Sequence, residues 1–230
     1  MNANPNGWHG GTGEHITYLT DDELQRFFAA VAANPISRNR VRDLALFHLI
    51  LDYGLRAMEI GLVRLKDTHV DEGWVYIRRV KEKHLRTDPK TGEQVRVAKD
   101  RRGTSYRLSR TTLPFLKAWL KVREDFQLAE SSPYLFITQQ TRGKRSEGGF
   151  STNHVYDSVI RYGRVAGIKG IHPHMFRHTT AVKMAKASAN SFAIKERLGH
   201  TSVMTTEIYV TMFGPDKVAQ DEEADKALEF

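Results

Sequence analysis

From Thr20 onward, apolar residues recur at helical spacing. Leu24, Phe27, Phe28 and Val31 share one face, and Thr20 with Glu23 three residues later forms a capping box. This predicts a helix through about Ala33, with Pro35 beyond its end. Val41, Leu44, Ala45, Phe47, His48 and Leu51 predict a second helix over 39–52, stopped by Gly54. Met58, Ile60, Leu62 and Val63 predict a short third helix over 57–63. The pattern then changes. Trp74, Val75, Tyr76 and Ile77 are strand formers, as are Val95, Arg96 and Val97, with the turn-forming TDPKTGE between them. A further strand is expected over 104–108. Helices follow over 112–127, 152–166, 174–187 and 192–198, the last closed by Gly199, and a final helical segment lies around Thr205. The expected fold class is mainly α with a small antiparallel β-sheet (α+β), the sheet carrying a long basic hairpin.

At 230 residues the chain can bury the core of one moderate domain. It holds no run of eighteen apolar residues that would span a membrane. Residues 1–17, rich in Gly and Asn, read as a flexible tail without the apolar centre of a signal peptide. With no cysteine, disulfides and thiolate metal sites are excluded, which fits a cytoplasmic protein. The net charge of +8 is uneven. Residues 216–230 hold six acids and two lysines, whereas residues 76–107 hold eleven Lys and Arg against four Asp and Glu. A basic run is often only a solvated face. Beside a phosphate-handling constellation it points to nucleic acid.

Such a constellation is present. Arg56 lies in YGLRAMEIGLV, His174 and Arg177 in HPHMFRH, His200 in LGH, and Tyr209 nine residues later in TTEIY. Opening a phosphodiester can require roughly 20 kcal/mol of barrier lowering. Electrostatic clamping supplies much of that in most enzymes. Arg56 and Arg177 suit the clamp, because a planar guanidinium binds phosphate bidentately and stays charged. His174 and His200 can move a proton or hydrogen-bond near neutral pH. Tyr209 is the candidate nucleophile, a weak one until a base and a cationic site assist it. His172, His174 and His178 crowd together as metal ligands would, but no carboxylate or cysteine stands nearby and Pro173 restricts the approach, so neither metal nor cofactor is expected.

GLRxxEI, HPHMxRHT and LGHxSxxTTxIY, in this order, resemble the catalytic domain of tyrosine recombinases, the phage-integrase family, over 18–212. The resemblance implies a metal-free and ATP-free, site-specific DNA breaking and rejoining reaction through a 3′-phosphotyrosine. It assigns the tyrosine proton to His174 and a phosphate contact to His200. It also implies a lysine on the sheet hairpin as general acid: Lys99 on the returning side, with Lys81 the alternative on the outgoing side. Glu59 falls where members carry an acidic residue that orients the catalytic groups, on the same helical face as Arg56. Arg78, Arg79, Lys81, Arg101, Arg102, Lys144, Arg145, Asn153, His154 and Arg161 are the candidate DNA contacts.

The partners implied are double-stranded DNA and other copies of the chain, a homotetramer on paired sites and a monomer without DNA, with residues 213–230 passed between subunits. Nucleoid association is expected in a prokaryote. Most members carry a DNA-binding domain ahead of the catalytic one, and about eighteen residues are too few for it. A naturally short enzyme of the fimbrial invertase type and a fragment both remain open. Two other functions compete: a type IB topoisomerase, which usually has lysine in place of His174, and a catalytically silent DNA-binding relative.

Overall fold

A computed structural model describes residues 7–9, 15–87, 94–100, 103–126, 129–138, 149–200, 203–215 and 219, with backbone alone over 7–9, 15, 80–87, 94–100 and 205. Arg101, Arg102, Lys144, Arg145 and most of the acidic segment after Phe213 lie outside the described residues. In chain order the elements are β1 (Gly7–His9), β2 (His15–Thr17), α1 (Asp21–Ala32), α2 (Ser37–Tyr53) and α3 (Ala57–Gly61). After a 3-10 turn come β3 (Thr68–His69), β4 (Trp74–Ile77), β5 (Val80–Thr87), β6 (Gln94–Asp100) and β7 (Thr104–Arg107). Helices α4 (Thr112–Arg123), α5 (Thr152–Val165), α6 (Pro173–Lys186), α7 (Ser191–Leu198) and α8 (Met204–Phe213) complete the chain. The fold is mainly helical with a small antiparallel sheet, as the sequence pattern implies. The stretch read as one catalytic domain forms two compact units, one from residues 1–56 and 156–230, the other from 57–155.

In the first unit, α1 opens with the expected capping box: Glu23 N donates to Thr20 Oγ1 at 3.2 Å, and Thr20 N to Glu23 Oε2 at 2.9 Å. Its inner face brings Phe27 to 4.9 Å from both Phe47 of α2 and Phe176 of α6, all three fully buried. These edge-on rings lock α1, α2 and α6 together. Asp43, buried on α2, accepts from Tyr162 Oη at 2.5 Å and Arg42 Nε at 2.8 Å. Burial and the Asp43 charge push the Tyr162 hydroxyl up to about 12. One expectation is corrected here: residues 7–9 and 15–17, read as part of a flexible tail, pair as an antiparallel ribbon. Ile16 explains the ordering, because it is buried in a cluster with Ala181, Ile194, Leu198, Tyr209 and Phe213.

In the second unit, β3, β4 and β7 form a three-stranded antiparallel sheet, while β5 and β6 pair as a separate two-stranded ribbon. Val75 and Ile77 of β4 are fully buried, as are Leu116, Trp119, Leu135, Phe136 and Ile137. Helix α3 stops at Gly61, two residues short of the expected 63. A Cβ at Gly61 would overlap the Phe150 carbonyl, and the chain beyond turns extended, with Leu65 N donating to Pro133 O and Leu135 N to Val63 O. Helix α4 ends at Arg123, whose buried guanidinium donates to the carbonyls of Ala129, Ser132, Tyr134 and Leu135 at 2.8–3.1 Å. One side chain thus satisfies four backbone acceptors of the following loop. Arg123→Ala should therefore lower unfolding free energy by about 3 kcal/mol, since buried carbonyls are costly to leave unsatisfied. Arg123→Lys should recover only a minor part, because an ammonium cannot span four carbonyls. Urea unfolding measures both, and an alanine variant within error of the parent would refute the assignment.

Candidate active site

The first unit carries five of the candidate residues on or next to helices α2, α6, α7 and α8. Helix α2 closes at Gly54 in the left-handed region, φ 56°, and its amide donates to Ile50 O. Arg177 Nη1, from the buried side of α6, donates to the Gly54 carbonyl at 2.6 Å. Arg56, half-buried, follows two residues later. The two candidate clamp arginines, 121 positions apart in sequence, are thereby tied to one turn. Thr180 Oγ1 secures the same place by donating to Leu51 O at 2.5 Å. Gly54 is needed twice over: its φ disfavours a side chain, and a Cβ would overlap Leu198 Cδ2. Leu198 is the last residue of α7, two before His200.

Helix α7 ends in its own left-handed glycine, Gly199 at φ 65°, with His200 N bonded back to Lys195 O at 3.0 Å. The turn presents a half-buried His200 whose Nδ1 stands 2.9 Å from Thr206 Oγ1. Thr206 lies on α8, fully buried, one turn before Tyr209. The Thr206 hydroxyl can donate to or accept from Nδ1, and where it donates, the His200 proton sits on Nε2, the form in which that nitrogen can donate to a phosphate oxygen.

Tyr209 is itself buried, 4% exposed, and its hydroxyl lies 2.5 Å from His178 Nδ1. Burial, then the charges of His174, His172 and Arg177, lower His178 to about 4, so its ring is neutral. His174 is exposed at the start of α6, its ring 6.5 Å from that of His178. His178 and Thr206 were not among the expected site residues, although His178 entered the sequence reading as a metal candidate. Among the described residues, no three His, Asp or Glu side chains are grouped to hold a metal ion.

The second unit places the supporting residues. Glu59, fully buried on α3, pairs with Arg79 Nη1 at 3.0 Å, and Arg79 also donates to Tyr106 Oη at 2.9 Å. Arg79 was expected among DNA contacts. Its 3% exposure corrects that: this guanidinium is spent inside the unit, because a buried carboxylate requires a buried partner. Arg78 is half-exposed, 3.9 Å from Asp67. Asn153 and His154 are exposed at the start of α5, where Ser151 Oγ meets His154 Nδ1 at 2.8 Å. Arg161, in the first unit, is 55% exposed at its side chain and 3.6 Å from Asp43. Lys81 and Lys99, the alternative general acids, prove to be register partners across β5 and β6, next to a bulge at Lys81/Lys83.

The family model described as the phage integrase family matches residues 17–213. Tyrosine recombinase XerA of Pyrococcus furiosus is 28% identical over 191 residues, 83% of this chain and 56% of that protein. Type 1 fimbriae regulatory protein FimB of Escherichia coli K12 is 26% identical over 193 residues, 84% of this chain and 82% of that protein. The chain spans about half the length of the XerA and XerC relatives it matches. A crystal structure of XerA recombinase superposes with a TM-score of 0.62 at 24% identity, over 93% of this chain and 66% of that one. The post-cleavage complex of XerH bound to its palindromic difH substrate superposes with a TM-score of 0.67 at 22% identity, over 93% and 55%. These likenesses show a shared fold.

Proposed function

The chain belongs to the phage integrase family, and we propose that it cuts and rejoins duplex DNA at specific sites through a 3′-phosphotyrosine at Tyr209, with neither metal nor ATP. The observation that carries this reading is the turn at Gly54, where Arg177 is anchored two residues from Arg56 in the unit that also holds His200 and Tyr209. Two guanidinium forks on one turn suit the nonbridging oxygens of a phosphodiester. His200, oriented through Nδ1 by Thr206, contacts the phosphate, and His174 adds an exposed imidazole at the helix start. Lys99 protonates the departing 5′-oxygen, with Lys81 on the same rung as the alternative. Glu59 acts indirectly, by fixing Arg79 and the β7 tyrosine Tyr106. Arg78, Arg101, Arg102, Lys144, Arg145, Asn153, His154 and Arg161 supply the backbone contacts that a basic surface provides.

Retaining the bond energy in the phosphotyrosine lets a second strand reseal the break, so recombination rather than hydrolysis follows. The partners are double-stranded DNA and other copies of this chain, a tetramer on paired sites, with the acidic 213–230 segment passed between subunits. The protein acts in the cytoplasm, on the nucleoid if the host is prokaryotic. No helix among the described residues is long and apolar enough to cross a membrane.

Covalent capture tests the reading. Incubated with nicked duplexes of random sequence, the protein should retain a DNA subset through a denaturant-stable link with a free 5′-hydroxyl. Absence of any adduct would leave a DNA-binding relative. Relaxation of plasmids lacking every captured sequence would move the assignment to a topoisomerase.

A further inference from the structure

Strands β5 and β6, which carry Lys81 and Lys99, form a ribbon of their own beside the β3–β4–β7 sheet. A two-stranded ribbon alone is marginally stable, so its placement has to come from its feet. Both feet are held. At the outgoing foot Arg79, next to Val80 of β5, turns into the second unit with 3% exposure. Its Nη1 donates to Glu59 Oε2 at 3.0 Å, and its Nε and Nη2 donate to Tyr106 Oη at 3.2 and 2.9 Å. The guanidinium carbon also lies 5.2 Å from the centre of the Tyr106 ring. At the returning foot the Gly103 amide donates to Tyr76 Oη at 3.0 Å, and a Cβ there would overlap the tyrosine ring. Tyr76 and Tyr106 belong to β4 and β7, which pair with each other. We propose that Arg79 is a positioning residue for the leaving-group acid: it anchors the ribbon to Glu59 and Tyr106 and so sets where the Lys81–Lys99 rung stands, an inference that rests on the role given above to the hairpin lysine.

The rung lies close to these anchors. Val80 pairs with Asp100 and Lys81 with Lys99, so the lysines form the second rung from the feet, about 7 Å along the strand from Arg79. Beyond it the register shifts between Lys81 and Lys83, and a bulge bends and twists a ribbon at such a point. The lysine rung therefore belongs to the anchored base, on the near side of the bend. A buried ion pair contributes little stability beyond an apolar pair of similar volume, so folding alone does not call for Arg79 and Glu59 here. What the fork supplies is direction: three guanidinium nitrogens bond two acceptors, one on α3 and one on β7. A general acid must stand within hydrogen-bond reach of the oxygen it protonates, and an error of about 1 Å can cost about 10²-fold in rate. The lysine gives its proton to the 5′-oxygen as the bond from phosphorus breaks and takes it back on rejoining, while Arg79 exchanges nothing.

The test is single-turnover adduct formation by the full chain on the duplex captured from the random pool, made with oxygen or sulfur at the bridging 5′ position. A sulfur leaving group needs no proton, so it relieves a misplaced acid and not a generally damaged enzyme. Arg79→Lys keeps a cation beside Glu59 but cannot bond Tyr106 at the same time. It should bind DNA within about threefold of the parent, lose about 10–100-fold in adduct formation on the oxygen duplex, and recover to within about threefold on the sulfur duplex. Tyr106→Phe removes one acceptor and leaves the ion pair in place, and should show the same pattern with a smaller loss. It decides the matter if the lysine variant does not fold. Arg123→Lys, which loosens the same unit among the carbonyls of Ala129 and Ser132, should gain nothing from sulfur. Relief there as well would make the effect one of general loosening and overturn the proposal. Parental rates on the oxygen duplex from the folded Arg79 and Tyr106 variants overturn it too, as does a loss that sulfur leaves in place. If sulfur relieves neither Lys99→Ala nor Lys81→Ala, the hairpin acid itself is refuted, and if the parent chain captures no duplex, the nucleophilic reading is. The positioning role of Arg79 falls with either.

Discussion

Tyr209→Phe is expected to form no covalent adduct while binding captured DNA within about twofold of the parent, because a phenyl ring fills the same space but offers no nucleophilic oxygen. The ring belongs to the cluster of Ile16, Ala181, Ile194, Leu198 and Phe213, and phenylalanine preserves all of that packing. The bond to His178 is lost, a cost of about 1 kcal/mol. Melting temperature should therefore change little, which separates chemistry from folding. Three of the rival tyrosines are committed elsewhere. Tyr162 donates to Asp43 and has its hydroxyl pushed up to about 12, so its oxygen ionises even less readily than a free phenol. Tyr106 accepts from Arg79, and Tyr76 accepts from the Gly103 amide at 3.0 Å. Adduct surviving in the phenylalanine variant, read on a denaturing gel, would place the nucleophile on another residue.

The features legible in the chain are those that local physics writes into adjacent residues. The capping box of Thr20 and Glu23 and the apolar face of Leu24, Phe27 and Val31 foretold α1 almost to the residue. Gly54 and Gly199 were readable as stops because a left-handed cap tolerates glycine best. The candidate chemistry was visible as residue types at spacings, and the structure gathers Arg56, Arg177, His200 and Tyr209 in one unit. What escaped were pairings between distant residues. Nothing in the period of α6 says that His178 meets a tyrosine 31 positions away, nor that Arg79 leaves the basic surface for a carboxylate 20 positions earlier. Charge counts also treat every arginine in a basic run alike. Burial distinguishes them: Arg79 and Arg123 are internal, while Arg161 is largely exposed. The short ribbon of β1 and β2 was hidden for a related reason, since glycine-rich composition argues for freedom and a single Ile16 supplies the anchor.

Replacing either clamp arginine should reduce single-turnover cleavage by about 10²–10³, the loss typical when one donor to a developing oxyanion is removed. The two should differ in a way that follows from their surroundings. Arg56 is half-buried beyond the end of α2, so Arg56→Ala should lose rate at a smaller melting cost than Arg177→Ala. Arg177 is 4% exposed and holds the Gly54 carbonyl, so Arg177→Ala also strips a buried acceptor of its donor. That should cost about 1–3 kcal/mol of stability in addition to the rate. The Gly54 turn would then lose part of what fixes it beside Leu198, and with it the placement of His200 two residues further on. Lysine at 177 keeps a charge but not the fork: it can serve the carbonyl or the phosphate, not both. Arg177→Lys should accordingly regain most of the stability and little of the rate. Comparing melting temperature with adduct formation across Arg56→Ala, Arg177→Ala and Arg177→Lys makes the distinction measurable. Parental cleavage by either alanine variant would show that the clamp lies elsewhere. Equal melting losses for Arg56→Ala and Arg177→Ala would show that the Gly54 carbonyl contact does not organise the turn.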